Sequence, residues 1–384
     1  MNKLIGLLLF TSLIGLSNAV SQAQSPTGAP MATADRVQGS GWWPTKGTAA
    51  REDYVGPDAC AQCHRAKVNG ARKTPMAHAS MPVADSEALR SHNRLETQIG
   101  PFHYQIVSTA QGVEYSVTDG TKSASVPLTW AFGMGEVGQT YVYEQSGRWY
   151  ESRLSYYTGI RGLDFSPGHE RSIPSSTDSA LGRLFDIGET QRCFGCHTTA
   201  STTKGQFDPG HLIPGVTCEA CHGPGAQHVA EKSMGAENQT TLRSIFNPAA
   251  LRAVDAVEFC GACHRTAWDV ALAGSKGVFN VRFQPYRLET SRCWGKGDAR
   301  LVCFSCHDPH EPLVRDASSY DSRCMQCHVA RTASKTSHDH HAVCRVSNKD
   351  CVTCHMPKQE IPGMHAKFTD HRIRIVHEDE EFKD

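Results

Sequence analysis

The chain has 384 residues, of which 39% are hydrophobic and 8% aromatic, and it contains 16 cysteines and 20 histidines. Its 39 basic residues balance its 39 acidic residues, so the formal charge is zero and nucleic acid is not an expected partner. The longest apolar run, Leu4 to Leu16, is shorter than the roughly 20 residues that cross a bilayer, so no transmembrane segment is expected in the mature chain.

Residues 1–23 have the pattern of a secretory signal peptide. Lys3 precedes the apolar run, and small residues follow it up to Ala23. We therefore expect an exported protein, located in the periplasm or outside the cell. Residues 24–50 are rich in Gly, Pro, Ser, Thr and Ala and have no apolar periodicity, which predicts a flexible leader.

Residues 51–95 contain the first copy of a pattern that recurs along the chain. Cys60 and Cys63 are three residues apart, and His64 follows directly. On a helical turn, two cysteines at this spacing share a face and can bond to two vinyl groups of a haem, while the histidine binds the iron. The pattern CxxCH therefore predicts covalent attachment of a c-type haem.

Residues 96–165 change to alternating β-branched and aromatic residues interrupted by turn signals. The pattern predicts strands at 102–108, 113–118, 123–130, 140–144 and 148–157, joined by turns at Gln111-Gly112, Asp119-Gly120 and Ser146-Gly147. We interpret this segment as a small antiparallel β insertion that covers one haem face or docks a partner. Its aromatic residues are expected to form a core.

Residues 166–384 carry six further copies of the pattern, separated by short helical and irregular linkers. They are Cys193-Cys196-His197, Cys218-Cys221-His222, Cys260-Cys263-His264, Cys303-Cys306-His307, Cys324-Cys327-His328 and Cys351-Cys354-His355. We number the seven copies the first to seventh motif in chain order. The segment leaves little room for an ordinary apolar core, so the porphyrins are expected to form much of its interior.

Two other chemistries use paired cysteines. Structural zinc sites contain the same CxxC spacing, but zinc gives no reason for a histidine at the fifth position of all seven copies. Redox-active dithiols occur singly within βαβ patterns, and no such pattern surrounds these copies. Both interpretations are therefore disfavoured. Cys293 and Cys344 lie outside the motifs and are expected to form a disulfide in an oxidising compartment, the alternative being two unrelated buried thiols.

Thirteen histidines remain after the seven motif histidines are assigned to the proximal side of each iron. His78, shortly after the first motif, is a candidate distal ligand, in competition with Met76 and Met81. His228 and His310 follow their own motifs too closely to reach the opposite face of the same porphyrin. We therefore expect these two to bind the iron of a neighbouring haem and to lock haems into pairs.

The chain resembles the multihaem cytochromes of the cytochrome c-554 family. The resemblance rests on GVTCEACHGPGAQHVA at 215–230, CFSCHDPHEPLV at 303–314, CVTCHMPK at 351–358 and MHAKFTDHRI at 364–373. It implies a multihaem cytochrome c fold, mainly α-helical and irregular chain wrapped on stacked haems, with most irons held by two histidines. It also implies His228, His310, His365 and His371 as distal ligands, with His341 from the cluster at 338–341 as another.

These features predict an exported heptahaem cytochrome that carries electrons between respiratory partner proteins. The alternative is a multihaem oxidoreductase that acts on a small nitrogen or sulfur compound at one five-coordinate haem. No CxxCK motif is present, which argues against one such class of reductase. An assembly subunit that docks through the β insertion or through Trp42-Trp43 is a third hypothesis. The carrier needs six-coordinate irons throughout, whereas the enzyme needs at least one open site.

Overall fold

The computed structural model describes residues 49–204, 206–234, 245–295, 297–328, 344, 346–377, 380, 382 and 384. The predicted signal peptide, almost all of the predicted leader and His341 lie outside the described residues.

Helices in the described part of the chain are mostly short. They are α1 Gly56–Ala71, α2 Glu87–Arg90, α3 Thr177–Leu181, α4 Ile187–His197, α5 Cys218–His222, α6 Ala226–Ser233, α7 Ala253–His264, α8 Ala267–Ala273, α9 Gln284–Glu289, α10 Cys303–Cys306, α11 Asp321–His328 and α12 Cys351–His355. Helices of four to eight residues are unstable in isolation, so these depend on tertiary contacts and on their caps. In α4, for example, Asp186 and Glu189 form a capping box.

The strands are all paired antiparallel. They are β1 Ser80–Pro82, β2 Arg94–Ile99, β3 Phe102–Thr109, β4 Gly112–Thr118, β5 Ser123–Pro127, β6 Trp130–Phe132, β7 Gly138–Gln145, β8 Arg148–Ser152, β9 Leu154–Tyr157, β10 Gly162–Phe165, β11 Gly182–Leu184, β12 Thr198–Ala200, β13 Thr202–Thr203, β14 Gln206–Phe207, β15 Ile213–Pro214, β16 Lys358–Glu360 and β17 Lys367–Thr369. One sheet has the order β2-β3-β4-β5. A larger sheet has the order β1-β6-β7-β8-β11, with β9 paired to β7 and β10 paired to β9.

The two large sheets share one apolar core. In β3 the alternate residues Phe102, Tyr104 and Ile106 are buried, as expected for a strand with one face covered. Tyr141, Tyr143, Leu154 and Phe165 from the larger sheet, among others, belong to the same core cluster as these residues. The prediction that the aromatic residues of this segment form a core is confirmed.

Most of the predicted strands are confirmed, with two differences. The predicted strand 123–130 is two strands, because β5 ends at Pro127 and β6 begins at Trp130. The predicted strand 148–157 is likewise divided between β8 and β9 at Arg153. The larger sheet also contains β1 and β11, which lie outside residues 96–165 and stand at the two ends of its strand order. We call residues 96–165 the β segment.

The described residues after Asp186 contain only small apolar clusters. One contains Phe259 and Ala262, and another contains Ala256, Val257, Trp294 and Val302. The predicted combination of short helices, irregular chain and an antiparallel β segment is therefore present. No helix in the described ranges is both long enough and apolar enough to span a membrane.

Candidate haem-attachment sites

Each CxxCH motif lies on a helix that ends or breaks at its histidine. The last residues of α4, α5, α7, α11 and α12 are His197, His222, His264, His328 and His355, and His307 directly follows α10. In α1 the helix is broken at His64, whose φ of −108° and ψ of 35° are not helical. The helical turn therefore places the two cysteines on one face, and the chain changes direction at the iron-binding residue.

Three motif histidines are oriented by main-chain carbonyl groups. His197 Nδ1 lies 2.9 Å from the carbonyl oxygen of Ala79, His222 Nδ1 lies 2.7 Å from that of Phe246, and His355 Nδ1 lies 2.7 Å from that of Arg374. A carbonyl oxygen can only accept, so Nδ1 carries the proton and donates it in each bond. Nε2 is then unprotonated and available to a metal, which is the usual second-shell arrangement for a histidine ligand.

His222 of the third motif faces His310, which follows the fifth motif. The two ring centres are 6.0 Å apart and the rings are inclined by only 12°. Two imidazoles bound to one iron through bonds of about 2 Å have ring centres roughly 6 to 6.5 Å apart. His310 Nδ1 lies 3.0 Å from Asp308 Oδ1, which leaves its Nε2 for a metal. The pair therefore has the separation that a shared iron requires.

A second pair joins His307 of the fifth motif to His371 near the C-terminus. Their ring centres are 6.3 Å apart and the rings are inclined by 48°. His371 Nδ1 lies 3.1 Å from the carbonyl oxygen of Thr369, so it too is fixed with Nε2 unprotonated. In both pairs one imidazole comes from a motif and the other from a distant part of the chain.

Burial keeps three of these imidazoles, those of His222, His307 and His371, in the neutral form that binds metals. It lowers the pKa of His222, with a further decrease from the nearby His310 and His64. It also lowers the pKa of His307 and brings that of His371 to about 4. A neutral imidazole has a lone pair for the metal, whereas a protonated one has none.

Cysteines from different motifs contact one another in pairs. Cys60 lies beside Cys218, Cys260 beside Cys303, and Cys324 beside Cys351. The first motif is thus next to the third, the fourth next to the fifth, and the sixth next to the seventh. The first pairing connects distant parts of the sequence.

Glu219, the first variable residue of the third motif, holds the first and third motifs together. Its carboxylate is buried and accepts hydrogen bonds from the backbone N–H groups of Val55 and Gly56, both at 2.9 Å, and from Gly225 at 2.8 Å. Val55 and Gly56 form the N-terminus of α1, where a negative charge is favourable. A residue larger than glycine would be too crowded at position 225, because a Cβ there would lie 2.9 Å from the side chain of Val55 and 3.2 Å from the Glu219 carboxylate.

Asp321 has the same role between the sixth and seventh motifs. It is the first residue of α11, and its carboxylate accepts from the N–H groups of Asp350 and Cys351, at 2.8 and 2.9 Å, at the N-terminus of α12. Sequence reasoning singled out neither Glu219 nor Asp321. The sequence feature that could have identified them is an acidic residue within a motif or shortly before it.

Further contacts connect the pairs. Cys196 Sγ of the second motif lies 3.6 Å from the carbonyl oxygen of Ala262 in the fourth. Cys221 lies near Cys260, whose pKa is raised first by its hydrogen bond to Cys303 and by burial. Cys324 similarly lies near Cys306, whose pKa is raised mainly by burial. Six motifs are therefore neighbours in the order first, third, fourth, fifth, sixth and seventh, and the second motif lies beside the fourth.

Comparisons with known proteins agree with the motif geometry. A family model described as cytochrome c554 and c-prime matches residues 169–223, which include the complete second and third motifs. The multiheme cytochrome MtrA of Shewanella baltica (strain OS185) is 26% identical over 216 residues, 52% of this chain and 55% of that protein. The chain is a multihaem c-type cytochrome. It spans about half the length of the curated relative that it matches.

A crystal structure of the outer cell wall cytochrome OcwA aligns with the cytochrome at a TM-score of 0.49 and 15% identity, over 84% of this chain and 80% of that one. Haem c is the cofactor of the cytochrome, and the residues present fit it. The orientation of the motif histidines and the separation of the two imidazole pairs are those that axial ligation requires.

The other predicted distal histidines of the cytochrome have varied surroundings. His228 Nδ1 is buried and has no hydrogen-bond partner in the described part of the chain. His365 Nε2 lies 2.7 Å from the Asp164 carboxylate, and His78 Nε2 lies 2.9 Å from the carbonyl oxygen of Arg72. Both contacts are made by Nε2, so Nδ1 is the ring nitrogen of His365 and of His78 that takes no part in them.

The β segment of the cytochrome packs against the second motif. Phe194, within that motif, is fully buried and lies in contact with the rings of Trp130, Phe132 and Trp149. The Phe132 ring centre is also 5.0 Å from that of His197. Of the two predicted roles for this segment, the contacts favour covering a haem site.

Cys293 and Cys344 do not form the predicted disulfide. Both are exposed, free cysteines in the structure. The prediction was wrong because it relied on the two residues being left over from the motifs, which says nothing about their distance in space.

Proposed function

We propose that the cytochrome is an exported heptahaem electron carrier that passes electrons between redox partner proteins along mostly bis-histidine haems. The observation that carries this proposal is the presence of two pairs of neighbouring imidazoles, His222 with His310 and His307 with His371, whose ring centres are 6.0 and 6.3 Å apart. Haem c supplies one-electron oxidation and reduction of its iron when bound. Two histidines at an iron leave no position for a substrate, which favours a carrier over an enzyme.

Each motif has a defined role in this proposal. Its two cysteines form the thioether bonds, and its histidine is the proximal ligand. His310 and His371 are the distal ligands best supported by their positions. We retain His228, His365, His78 and His341 as proposed distal ligands, and the buried, unpartnered Nδ1 of His228 supports its assignment.

The contacts between motifs support a continuous route for electrons. The carboxylates of Glu219 and Asp321 hold two pairs of motif helices together, and a contact between Cys196 and Ala262 joins the second motif to the fourth. Haems attached at neighbouring motifs would lie close together and fill the region that contains only small apolar clusters. The signal-peptide pattern at residues 1–23 supports a periplasmic or extracellular location.

The haem content is tested by intact mass spectrometry of the denatured protein, matured in a host with a c-type haem attachment system. We expect seven haems to stay attached, because all seven motifs are intact. A Cys351→Ser/Cys354→Ser double variant serves as the matched control and should retain six. Six or fewer haems on the wild-type protein would contradict the heptahaem assignment.

A further inference from the structure

A buried charged cluster lies next to His371. Arg287 on α9 donates from Nε and Nη2 to the two carboxylate oxygens of Asp370, at 2.8 and 2.9 Å. Arg374 Nη1 donates to the same carboxylate at 2.7 Å. The side chains of Arg287 and Asp370 are 0% exposed, and that of Arg374 is 14% exposed. In the hydrogen bonds of the described residues, these two guanidinium groups share one carboxylate, so the cluster has an excess of one positive charge.

Two N–H groups of this cluster are also without acceptors. Arg287 Nη1 and Arg374 Nε are buried and have no hydrogen-bond partner among the described residues. Buried guanidinium groups normally use their donors, and removing a charge from water is unfavourable unless an opposite charge compensates for it. Arginine donors arranged as a planar fork match a carboxylate or a phosphate. The cluster is therefore incomplete as an ion-pair network and has the chemistry of a carboxylate-binding site.

The position of the cluster identifies the carboxylate. Asp370 immediately precedes His371, whose ring faces His307 of the fifth motif at 6.3 Å. The carbonyl group of Arg374 accepts a hydrogen bond from His355 of the seventh motif at 2.7 Å. Ser291 Oγ fixes the intervening chain, since it donates to the carbonyl of His371 at 3.3 Å and accepts from the N–H of Ile373 at 2.8 Å. A haem bound beside these histidines would bring its propionate groups, which are carboxylates, close to the two arginines.

We propose that Arg287 and Arg374 bind a propionate of the haem attached at Cys303 and Cys306. This inference rests on the proposed function, because it requires a haem whose iron lies between His307 and His371. The positive cluster compensates the charge of the propionate, which would otherwise favour ferric iron. Arg287 and Arg374 are thus residues that bind the cofactor and raise the reduction potential of the haem of the fifth motif.

The test is a redox titration of the full holoprotein followed by EPR, with Arg374→Gln compared with Arg90→Gln. Arg90 lies on α2, is exposed, and pairs with Glu87, so the control removes the same charge far from this cluster. A His371→Ala variant identifies the signal of the haem of the fifth motif, because that signal becomes high-spin. We expect Arg374→Gln to shift this haem to a lower potential and Arg90→Gln to leave it unchanged.

An unchanged potential for this haem in Arg374→Gln protein that retains its full haem content would overturn the proposal, as would a shift confined to another haem. If Arg374→Gln does not assemble, Arg374→Met replaces it, because methionine removes the same positive charge with an unbranched side chain that needs no hydrogen-bond partner. A lower potential in that variant supports the site, and a wild-type potential overturns it. Carbon monoxide binding by the wild-type protein would refute the carrier function without changing the result of this titration, so the two failures are distinguishable.

Discussion

Replacement of His310 with alanine should open one iron of the cytochrome to exogenous ligands. The ring centre of His310 lies 6.0 Å from that of His222, and we propose that His310 is the distal ligand of the haem attached at the third motif. An iron with one axial histidine is high-spin and, when reduced, binds carbon monoxide. We therefore expect a new ferric high-spin EPR signal equivalent to about one haem and uptake of about one carbon monoxide per protein.

His103→Ala is the matched control for this experiment. His103 lies on β3, and its side chain is 37% exposed and 3.8 Å from Glu96. The control should keep the wild-type EPR spectrum and bind no additional carbon monoxide. If His310→Ala gives the same spectrum as His103→Ala, His310 is not an axial ligand, and the assignment of the facing pair to one iron is wrong.

Replacement of Glu219 with alanine should give the largest loss of stability among single substitutions at the motif contacts. Three backbone N–H groups, of Val55, Gly56 and Gly225, lose a charged acceptor that is itself buried. The bond from Gly225 is buried, and the bonds from Val55 and Gly56 are partly buried. A fully buried donor left without a partner costs about 1–3 kcal/mol and a partly buried one less, so the free energy of unfolding should fall by roughly 3–5 kcal/mol. Denaturant unfolding of the holoprotein, followed by far-ultraviolet circular dichroism, measures the loss.

Glu87→Ala provides the comparison for Glu219→Ala. Glu87 is exposed on α2 and forms a surface ion pair with Arg90, so its loss should cost less than about 1 kcal/mol. Glu219→Gln keeps one acceptor oxygen and should give an intermediate loss. Equal unfolding midpoints for Glu219→Ala and Glu87→Ala would show that the buried carboxylate does not hold the first and third motifs together.

Local patterns in the sequence predict the elements of the fold well. The CxxCH spacing requires a helical turn, and every motif lies on a helix or at its end. The alternation Phe102-Tyr104-Ile106 predicts β3 because successive side chains of a strand point to opposite faces. The turn between β7 and β8 follows from Ser146 and Gly147, whose φ values of 55° and 74° suit a tight hairpin.

The arrangement of these elements could not be predicted in the same way. The contact between Cys60 and Cys218 depends on Glu219, whose acceptors bond to main-chain N–H groups far away in sequence and leave no periodic signal. Arg287 and Asp370 are charged residues in the interior, where composition predicts apolar side chains. β1 and β11 contain three residues each, which is too few for an alternating pattern to be recognised.

The separation along the sequence between a histidine and its own motif gave part of the information needed to propose iron ligands. The short distance between His310 and its own motif predicted that it binds the iron of a neighbouring haem, and in the structure its ring centre lies 6.0 Å from that of His222 in the third motif. The partner of His371 could not be inferred, because sequence reasoning had no distance between the C-terminal segment and the fifth motif. That distance is set by tertiary contacts such as the hydrogen bond of Ser291 with the chain at Ile373.

Ferric EPR combined with carbon monoxide binding to the reduced wild-type protein tests the electron-carrier function most directly. A carrier with six-coordinate irons should show an EPR spectrum dominated by low-spin signals and almost no carbon monoxide binding. The facing imidazoles at 6.0 and 6.3 Å are the structural basis for this expectation. A high-spin signal equivalent to about one haem in seven, with matching carbon monoxide uptake, would contradict the carrier function and favour an enzyme with one open iron.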